Sequence, residues 1–197
     1  MRMLFHIPIV HAPEDLGSHL PEVKREYIAR HGVSKWNDHN KALDKFWHEL
    51  SKALLSLPVD YTKVRLYQDG LPVFGRDLEL VEKLAENGNR NYQLLHELAG
   101  KGATVMGTED PELLIEERNR LIKCGASSHI PRGNAGVDAA SSYDDLMERR
   151  DQYIAQRIAS TLKDGEIGLL LIGALHRVVD KLPKDIQVLS IEHGAFL

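Results

Sequence analysis

The hydrophobic pattern of this chain is strongest in one stretch near its end, residues 165–176, which read GEIGLLLIGALH. The middle of that stretch is an unbroken aliphatic run with glycines on both sides. A strand whose two faces are both buried has this kind of sequence, because neither face meets water. We therefore predict a strand in the centre of a parallel sheet, with Gly173 at its end and His176 three residues further on.

A second pattern, with apolar residues three and four positions apart, is typical of an amphipathic helix. It is clearest over residues 36–57, and it recurs over residues 142–163. Asn37 or Asp38 is the expected cap of the first of these helices, and Pro58 lies just beyond its predicted end. The apolar positions that define the two helices are Leu43, Phe46, Trp47, Leu50, Leu54 and Leu57 in the first and Ile154, Ile158 and Leu162 in the second.

Shorter helices and strands alternate in the rest of the chain. This alternation predicts a single α/β domain over residues 1–197, with a mainly parallel sheet of about five strands and helices on both faces. Residues 124–142 are rich in Gly, Ala and Ser and show no period, so we predict a flexible loop or lid there. Pro8 cannot donate a ladder hydrogen bond, so the first strand is expected at an edge, or bulged, or short. The other predicted strands cover residues 3–11, 64–67, 103–106 and 186–191, and the other predicted helices cover residues 21–30, 76–85, 91–99, 111–123 and 176–182.

Composition and charge narrow the function classes. The 197 residues include 29 acidic and 25 basic side chains, for a formal net charge of −4, without a basic block. Since phosphate backbones are bound by clustered Lys and Arg, no nucleic-acid partner is expected. No stretch reaches transmembrane length and the first residues lack a signal-peptide pattern, so no membrane partner is expected either. The single cysteine, Cys124, excludes an internal disulfide and favours a reducing, cytoplasmic location.

Four polar residues come just after predicted strands, namely His11, Asp69, Glu109 and His176. Ligands of open α/β sheets bind outside the carboxyl ends of the strands, so we expect these side chains to face one crevice. Imidazole and carboxylate groups can serve there as general base and orienting acid, or as ligands of a divalent metal. For a metal, the predicted ligands are His11, Asp69 and His176. The alternative is that such residues cap neighbouring helices or contact water.

Two arginines, Arg150 and Arg157, lie on or beside the apolar stripe of the second long helix. An arginine in such a place needs a partner, usually a carboxylate or a bound anion. In one interpretation, Arg150 clamps an anionic group of the substrate or an oxyanion. In the other, it forms a structural pair with Asp69, Glu109 or Asp151.

Residues 145–180 resemble the end of the TraB/Tiki-type domain and of its relatives, the erythromycin esterase and ChaN-like proteins. The resemblance begins with an Arg-Asp-x-x-Ile-Ala-x-x-Ile helix at residues 150–158. After a glycine turn comes an apolar strand that ends in Gly-x-x-His, at residues 173–176. The remaining segments, including residues 11–18 and 67–72, resemble a prokaryotic family that implies no function.

The superfamily resemblance implies an active site made of a histidine, an arginine and a glutamate. By matching position, the histidine is His176 and the arginine is Arg150, and Glu109 is a candidate for the glutamate. The chain departs from the family pattern at its first Gly-x-x-His, which is expected after the first strand. Here Pro8 and not a glycine lies three residues before His11.

We therefore expect an enzyme, most simply a hydrolase that acts on a small polar or anionic substrate. His176 is the predicted general base or metal ligand, Glu109 and Asp69 supply an acid or a second ligand, and a divalent metal is the candidate cofactor. Two alternatives stay open: a protein that binds or senses a small ligand without turnover, and a regulatory partner protein in which these residues are structural. A homo-oligomer is also considered. The predicted catalytic residues are His176, Glu109 and Arg150, and the predicted substrate-binding residues are Asp69, Gly173 and Arg157.

Overall fold

The computed structural model describes residues 1–10, 20–124 and 137–191, without the side chains of residues 121–124 and 137–142. Its five strands are β1 (Arg2–Ile9), β2 (Val64–Gln68), β3 (Thr104–Met106), β4 (Ile167–Gly173) and β5 (Ile186–Ser190). The α-helices in these ranges are α1 (Leu20–His31), α2 (Val33–Leu55), α3 (Asp77–Glu86), α4 (Arg90–Gly100), α5 (Pro111–Cys124) and α6 (Val137–Thr161). Within the described ranges, no helix has the length and apolar character needed to cross a membrane.

The predicted central strand is β4. The strands form one sheet in the order β3-β2-β4-β1-β5, and every neighbouring pair is parallel. Every residue of β4 from Gly168 to Gly173 is buried, which explains why this strand has no polar face in the sequence. The position and the burial of this strand are therefore confirmed.

Each face of the sheet has its own hydrophobic core. Successive side chains of a strand point to opposite faces, so neighbouring residues of β4 belong to different cores. Leu171 shares one core with Leu50 of α2 and Leu95 of α4. Leu170 shares the other with Ile154 of α6. The predicted α/β class, with a parallel five-stranded sheet covered by helices on both faces, is confirmed.

Strand β1 is an interior strand in unbroken register with β4, so the prediction that Pro8 makes it an edge, bulged or short strand is wrong. Alternate residues of β1 bond to alternate neighbours. Met3 donates to Glu166 on the β4 side, and His6 accepts from Ile191 on the β5 side. Pro8, two residues beyond His6, therefore faces the β5 side, where β5 has already ended. In the described residues, the last ladder bond on this side is the one from Ile191 to His6, and Pro8, which has no N–H, donates none.

Helix α2 begins earlier than predicted, and a short turn replaces one predicted helix. Gly32, with a φ of 85°, precedes the first residue of α2, so Asn37 and Asp38 lie inside the helix and do not cap it. After His176 the chain forms only a 3₁₀ turn, Val178–Lys181, where a helix over residues 176–182 was predicted. Both differences reflect turn geometry, which the hydrophobic period does not encode.

The predicted loop at residues 124–142 is wrong at both of its ends. Cys124 is the last residue of α5, and α6 already begins at Val137. Residues 137–142 are therefore helical, although their sequence shows no apolar period. The rest of the predicted loop, residues 125–136, lies outside the described residues.

Candidate active site

A buried polar cluster lies at the carboxyl edge of the sheet, where β2 and β4 end. Its members are Asp69, Glu109, Arg150, Asp151 and His176, and we call it the carboxylate–histidine cluster. Each of the five side chains is at most 5% exposed. They come from the end of β2, the segment after β3, helix α6 and the turn after β4. Charged groups are rarely buried without partners, so their pairing decides what the cluster can do.

Asp69 joins the ends of two strands to α6. It follows the last residue of β2, and its N–H donates to the carbonyl of Leu171 in β4 at 2.9 Å. Its carboxylate accepts the N–H of Gly173 at 2.9 Å through Oδ2. The other oxygen, Oδ1, accepts from Nη2 of Arg150 at 3.1 Å. The aspartate is therefore held in one orientation from two sides.

Glu109 lies in the segment after β3, which runs beside the segment after β2. The N–H of Val73 donates to the carbonyl of Glu109 at 2.8 Å. The side chain of Glu109 accepts the N–H of Gly70 at 2.7 Å. This close approach requires Gly107, because a Cβ at that position would lie 2.6 Å from Cα of Val73. Gly107, two residues before Glu109, therefore allows the close approach that brings Glu109 into the cluster.

The Gly-x-x-His spacing is the spacing of a tight turn. The N–H of His176 donates to the carbonyl of Gly173 at 3.1 Å, which brings the imidazole back over the end of the sheet. Its Nδ1 lies 2.5 Å from Oδ1 of Asp151, and its Nε2 lies 3.5 Å from Oδ2 of Asp69. Asp151 also accepts the N–H of Arg177 at 2.7 Å. Each ring nitrogen thus faces a carboxylate, an arrangement that orients the ring and stabilises its protonated form.

Carboxylates surround the guanidinium of Arg150. Its Nε and Nη2 donate to the two oxygens of Glu109 at 2.7 and 2.8 Å. Its Nη2 also donates to Asp69, and its Nη1 donates to Glu117 of α5 at 2.6 Å. Sulfur of Met147 lies 3.8 Å from Nη1. A guanidinium has five N–H groups, so four of the five donate to carboxylates here. The structural pair foreseen for Arg150 is present, and its partners are carboxylates of the chain itself.

Burial and the neighbouring charges shift the pKa values of this cluster. Burial, and to a smaller extent the charge of Asp69, raise the pKa of Glu109 against the opposing effect of Arg150. Burial alone lowers the pKa of His176, but the hydrogen bond that its ring donates to Asp151 and the charge of Asp69 outweigh it, so the net shift is upward. Both shifts favour the protonated forms, as expected where carboxylates outnumber cations.

The structure brings together five of the predicted site residues: Asp69, Glu109, Arg150, Gly173 and His176. Arg157 is not among them. It lies seven residues from Arg150 on α6, about 10 Å along the axis, and donates to the carbonyl of Gly107 at 3.1 Å. Its described contacts are therefore structural and do not reach the cluster. His11 lies outside the described residues.

Two members of the network were not predicted as functional. Asp151 was foreseen only as a partner of Arg150, yet it bonds His176. Adjacent helical residues point about 100° apart, so Arg150 and Asp151 can contact different side chains. The Arg-Asp pair at the border of an apolar stripe was the available signal. Glu117 gave no such signal, because only the packing of α5 on α6 brings it to Arg150.

The predicted metal site has little support in the described part of the chain. There, no group of three or more His, Cys, Asp or Glu side chains is arranged to hold a metal ion. Two of the predicted ligands, Asp69 and His176, are neighbours. The oxygens of Asp69, however, already accept from Gly173 and Arg150.

No family model, no curated protein and no solved structure matches this chain. The resemblance to the TraB/Tiki-type domain, which rests on residues 150–158 and 173–176, therefore stays a prediction from the sequence. These two segments contact each other through Asp151 and His176. The geometry of the carboxylate–histidine cluster is accordingly the main guide to function.

Proposed function

We propose that the carboxylate–histidine cluster is the active site of a hydrolase that works by general acid–base catalysis on a small polar substrate. The observation that carries this proposal is the placement of His176. Its imidazole is buried, with Asp151 on Nδ1 and Asp69 facing Nε2. A histidine held by one carboxylate and facing a second acid–base group is a common arrangement for proton transfer in catalysis.

The roles follow from the protonation states. The raised pKa of His176 favours the imidazolium, and in this scheme that form is the general acid. A water molecule transfers a proton to Asp69 while its oxygen bonds the electrophilic atom of the substrate. The bond to the leaving group then breaks, and the leaving group takes the Nε2 proton of His176. Transfer of the proton from Asp69 to His176, which lie 3.5 Å apart, restores the starting state.

Arg150 and Glu109 are positioning residues in this scheme. Arg150 binds both oxygens of Glu109 and one oxygen of Asp69, so it fixes the orientation of the base. Its predicted role as a clamp for a substrate anion is disfavoured, because four of its N–H groups already bind carboxylates. Asp151 orients the imidazole and supports its charged form.

The test is a panel of ester, lactone, amide and glycoside substrates, assayed with the wild type and with His176→Ala. General acid–base catalysis contributes about 10²- to 10⁴-fold, so we expect a loss of that size. Asp151→Asn should give a smaller loss with a shifted pH profile. His96→Ala, at an exposed position of α4, is the matched control and should keep full activity. Hydrolysis that survives His176→Ala, or a wild type that hydrolyses nothing, would overturn the proposal.

One observation favours a second function, the binding of a small ligand without turnover. The backbone N–H groups of Gly70, Gly173 and Arg177 all donate to carboxylates of the cluster. They are therefore not free to stabilise an oxyanion, which many hydrolases require. Calorimetric binding of a small molecule that is never converted would support this alternative.

The location and assembly of the protein are also proposals. We propose that it works in the cytoplasm, since a single cysteine suits a reducing compartment. Formation of a homo-oligomer stays a prediction, which sedimentation velocity can check.

A further inference from the structure

The charges of the proposed site do not balance. Four carboxylates, those of Asp69, Glu109, Glu117 and Asp151, face one guanidinium and one imidazole. With the imidazole protonated, the set carries a net charge of −2 when all four carboxylates are ionised, and of −1 when Glu109, whose pKa is raised, holds a proton. In a buried site, where the effective dielectric constant is low, an excess of one sign favours a ligand of the other sign.

An anionic ligand would find few donors here. The guanidinium of Arg150 is used by carboxylates, and so are the three backbone N–H groups named above. The Nε2 of His176 faces Asp69. To bind phosphate or carboxylate, the site would have to break internal pairs and leave their carboxylates unpaired, which is costly.

The outer part of the site combines a carboxylate with an aromatic ring. Glu117 is 22% exposed, whereas the side chains of Asp69, Glu109 and Asp151 are at most 4% exposed. Tyr143 of α6 is half-buried. It lies four residues before Met147, which in turn lies three residues before Arg150, so the three share one stripe of the helix.

The direction of α6 places Tyr143 beyond the edge of the sheet. The C-terminal end of α6 lies near the start of β1, where Arg2 donates to the carbonyl of Ala159. Arg150 lies at the opposite, carboxyl edge, beside Asp69. Tyr143 is two turns further out, and burial followed by the charge of Glu117 raises the pKa of its hydroxyl. The ring therefore stays neutral and lies in the field of the cluster.

We propose that Tyr143 and Glu117 determine the specificity of the proposed active site and select a substrate with a positively charged nitrogen, such as an alkylammonium group. The inference rests on the proposed function, because it names the substrate class for the same cluster. An aromatic face attracts a cation through its quadrupole, and a neighbouring carboxylate adds a direct ion pair. The surplus negative charge behind them strengthens both interactions. His176 and Arg150 oppose a cation, but the carboxylates outnumber them.

Binding of two matched probes tests the inference without requiring turnover. n-Butylammonium chloride and sodium butyrate have the same chain length and opposite charges. We expect calorimetry at constant ionic strength to show saturable binding of n-butylammonium to the wild type and no binding of butyrate. Equal or stronger binding of butyrate would overturn the inference.

Variants locate the binding. Glu117→Gln and Tyr143→Ala should each weaken n-butylammonium binding by about fivefold or more, the order of a cation–π contact. Tyr143→Phe, which keeps the ring, should bind within about twofold of the wild type. Glu116→Gln is the matched control, because Glu116 pairs with Arg120 and Arg149 and not with the cluster. Binding that is unaffected by Glu117→Gln and Tyr143→Ala would overturn the inference.

The two proposals fail in different ways. If n-butylammonium binds as expected but the substrate panel shows no hydrolysis, the proposed function is wrong and the ligand class stands. If hydrolysis depends on His176 but the best substrates are anions, the ligand class is wrong and the proposed function stands. Thermal unfolding of each variant, which should stay cooperative, excludes loss of folding as the cause of lost binding.

Discussion

Two arginine–glutamate pairs lie at opposite ends of the sheet, and they differ in charge balance. At the amino end, Arg65 of β2 donates Nε and Nη2 to the two oxygens of Glu166, at 3.0 and 2.6 Å. At the carboxyl end, Arg150 holds Glu109 in the same two-pronged way. There, however, the guanidinium also binds the carboxylates of Asp69 and Glu117.

The pKa values record the difference between the two pairs. The hydrogen bond from Arg65 lowers the pKa of Glu166 and outweighs the opposing effect of its partial burial. Burial raises the pKa of Glu109, even though an arginine binds both of its oxygens. In the first pair one guanidinium faces one carboxylate, so the charges balance. A buried site with surplus carboxylates holds protons or attracts a cation, and this is the property that a catalytic or binding site can use.

The largest expected effect comes from removing Arg150, and the matched substitution of Arg65 should cost far less. Arg150→Met leaves Glu109 and Asp69 buried without their cation, so we expect a loss of about 3–5 kcal/mol in the free energy of unfolding. Arg65→Met, at the partly exposed pair, should cost about 1 kcal/mol or less. Urea denaturation at neutral pH measures both. If Arg150→Met does not fold, adding Glu109→Gln should restore part of the loss. Equal costs for the two single variants would contradict the comparison.

A smaller difference in stability is expected between substitutions of two glycines, Gly107 in the segment after β3 and Gly100 at the end of α4. In Gly107→Ala the new methyl group would lie 2.6 Å from Cα of Val73, and backbone cannot move aside easily. We expect a loss of about 1–3 kcal/mol. Gly100→Ala, at the end of α4, meets nothing within 4 Å and should be neutral or slightly stabilising. Thermal unfolding of both variants checks this, and a neutral Gly107→Ala would show that the segment before Glu109 can shift.

The two glutamates should respond to pH with opposite signs. The folded-state pKa of Glu166 is lowered, so its contribution to stability is present above its unfolded pKa and is lost as the pH falls through the folded value. The folded-state pKa of Glu109 is raised, so its contribution is present at low pH and is lost as the pH rises through the folded value. The stability difference between wild type and Glu166→Gln should therefore grow from pH 3 to pH 6. The difference between wild type and Glu109→Gln should shrink over the same range, and parallel curves would refute the assignment.

The smallest effect concerns the single proton of His176. Its pKa is raised in the folded state, so its stabilising contribution is complete below the unfolded pKa and is lost as the pH rises through the folded value. Between pH 6 and pH 9 the wild type should lose stability relative to His176→Gln. His96→Gln, at an exposed position of α4, is the matched control. A constant difference between wild type and His176→Gln would mean that the pKa of the ring is the same in the folded and the unfolded states.

Most of the architecture followed from hydrophobic periods. The aliphatic run at the end of the chain predicted the central strand, and the alternation of helices and strands predicted the parallel sheet. What failed was local: the interior position of β1 despite Pro8, the start of α2 at Val33, and the 3₁₀ turn after His176. Each failure has the same origin, because ladder pairing and turn geometry depend on neighbours that a period does not reveal.

The sequence by itself determined that polar residues would follow parallel strands, so Asp69, Glu109 and His176 were expected to converge. Only the tertiary structure decided how they pair. It paired Asp151 with His176 and surrounded Arg150 with carboxylates of the chain. The reason is physical. Position along a strand is set by local pattern, whereas the charge of a buried site is the sum over side chains that long-range packing brings within hydrogen-bonding distance.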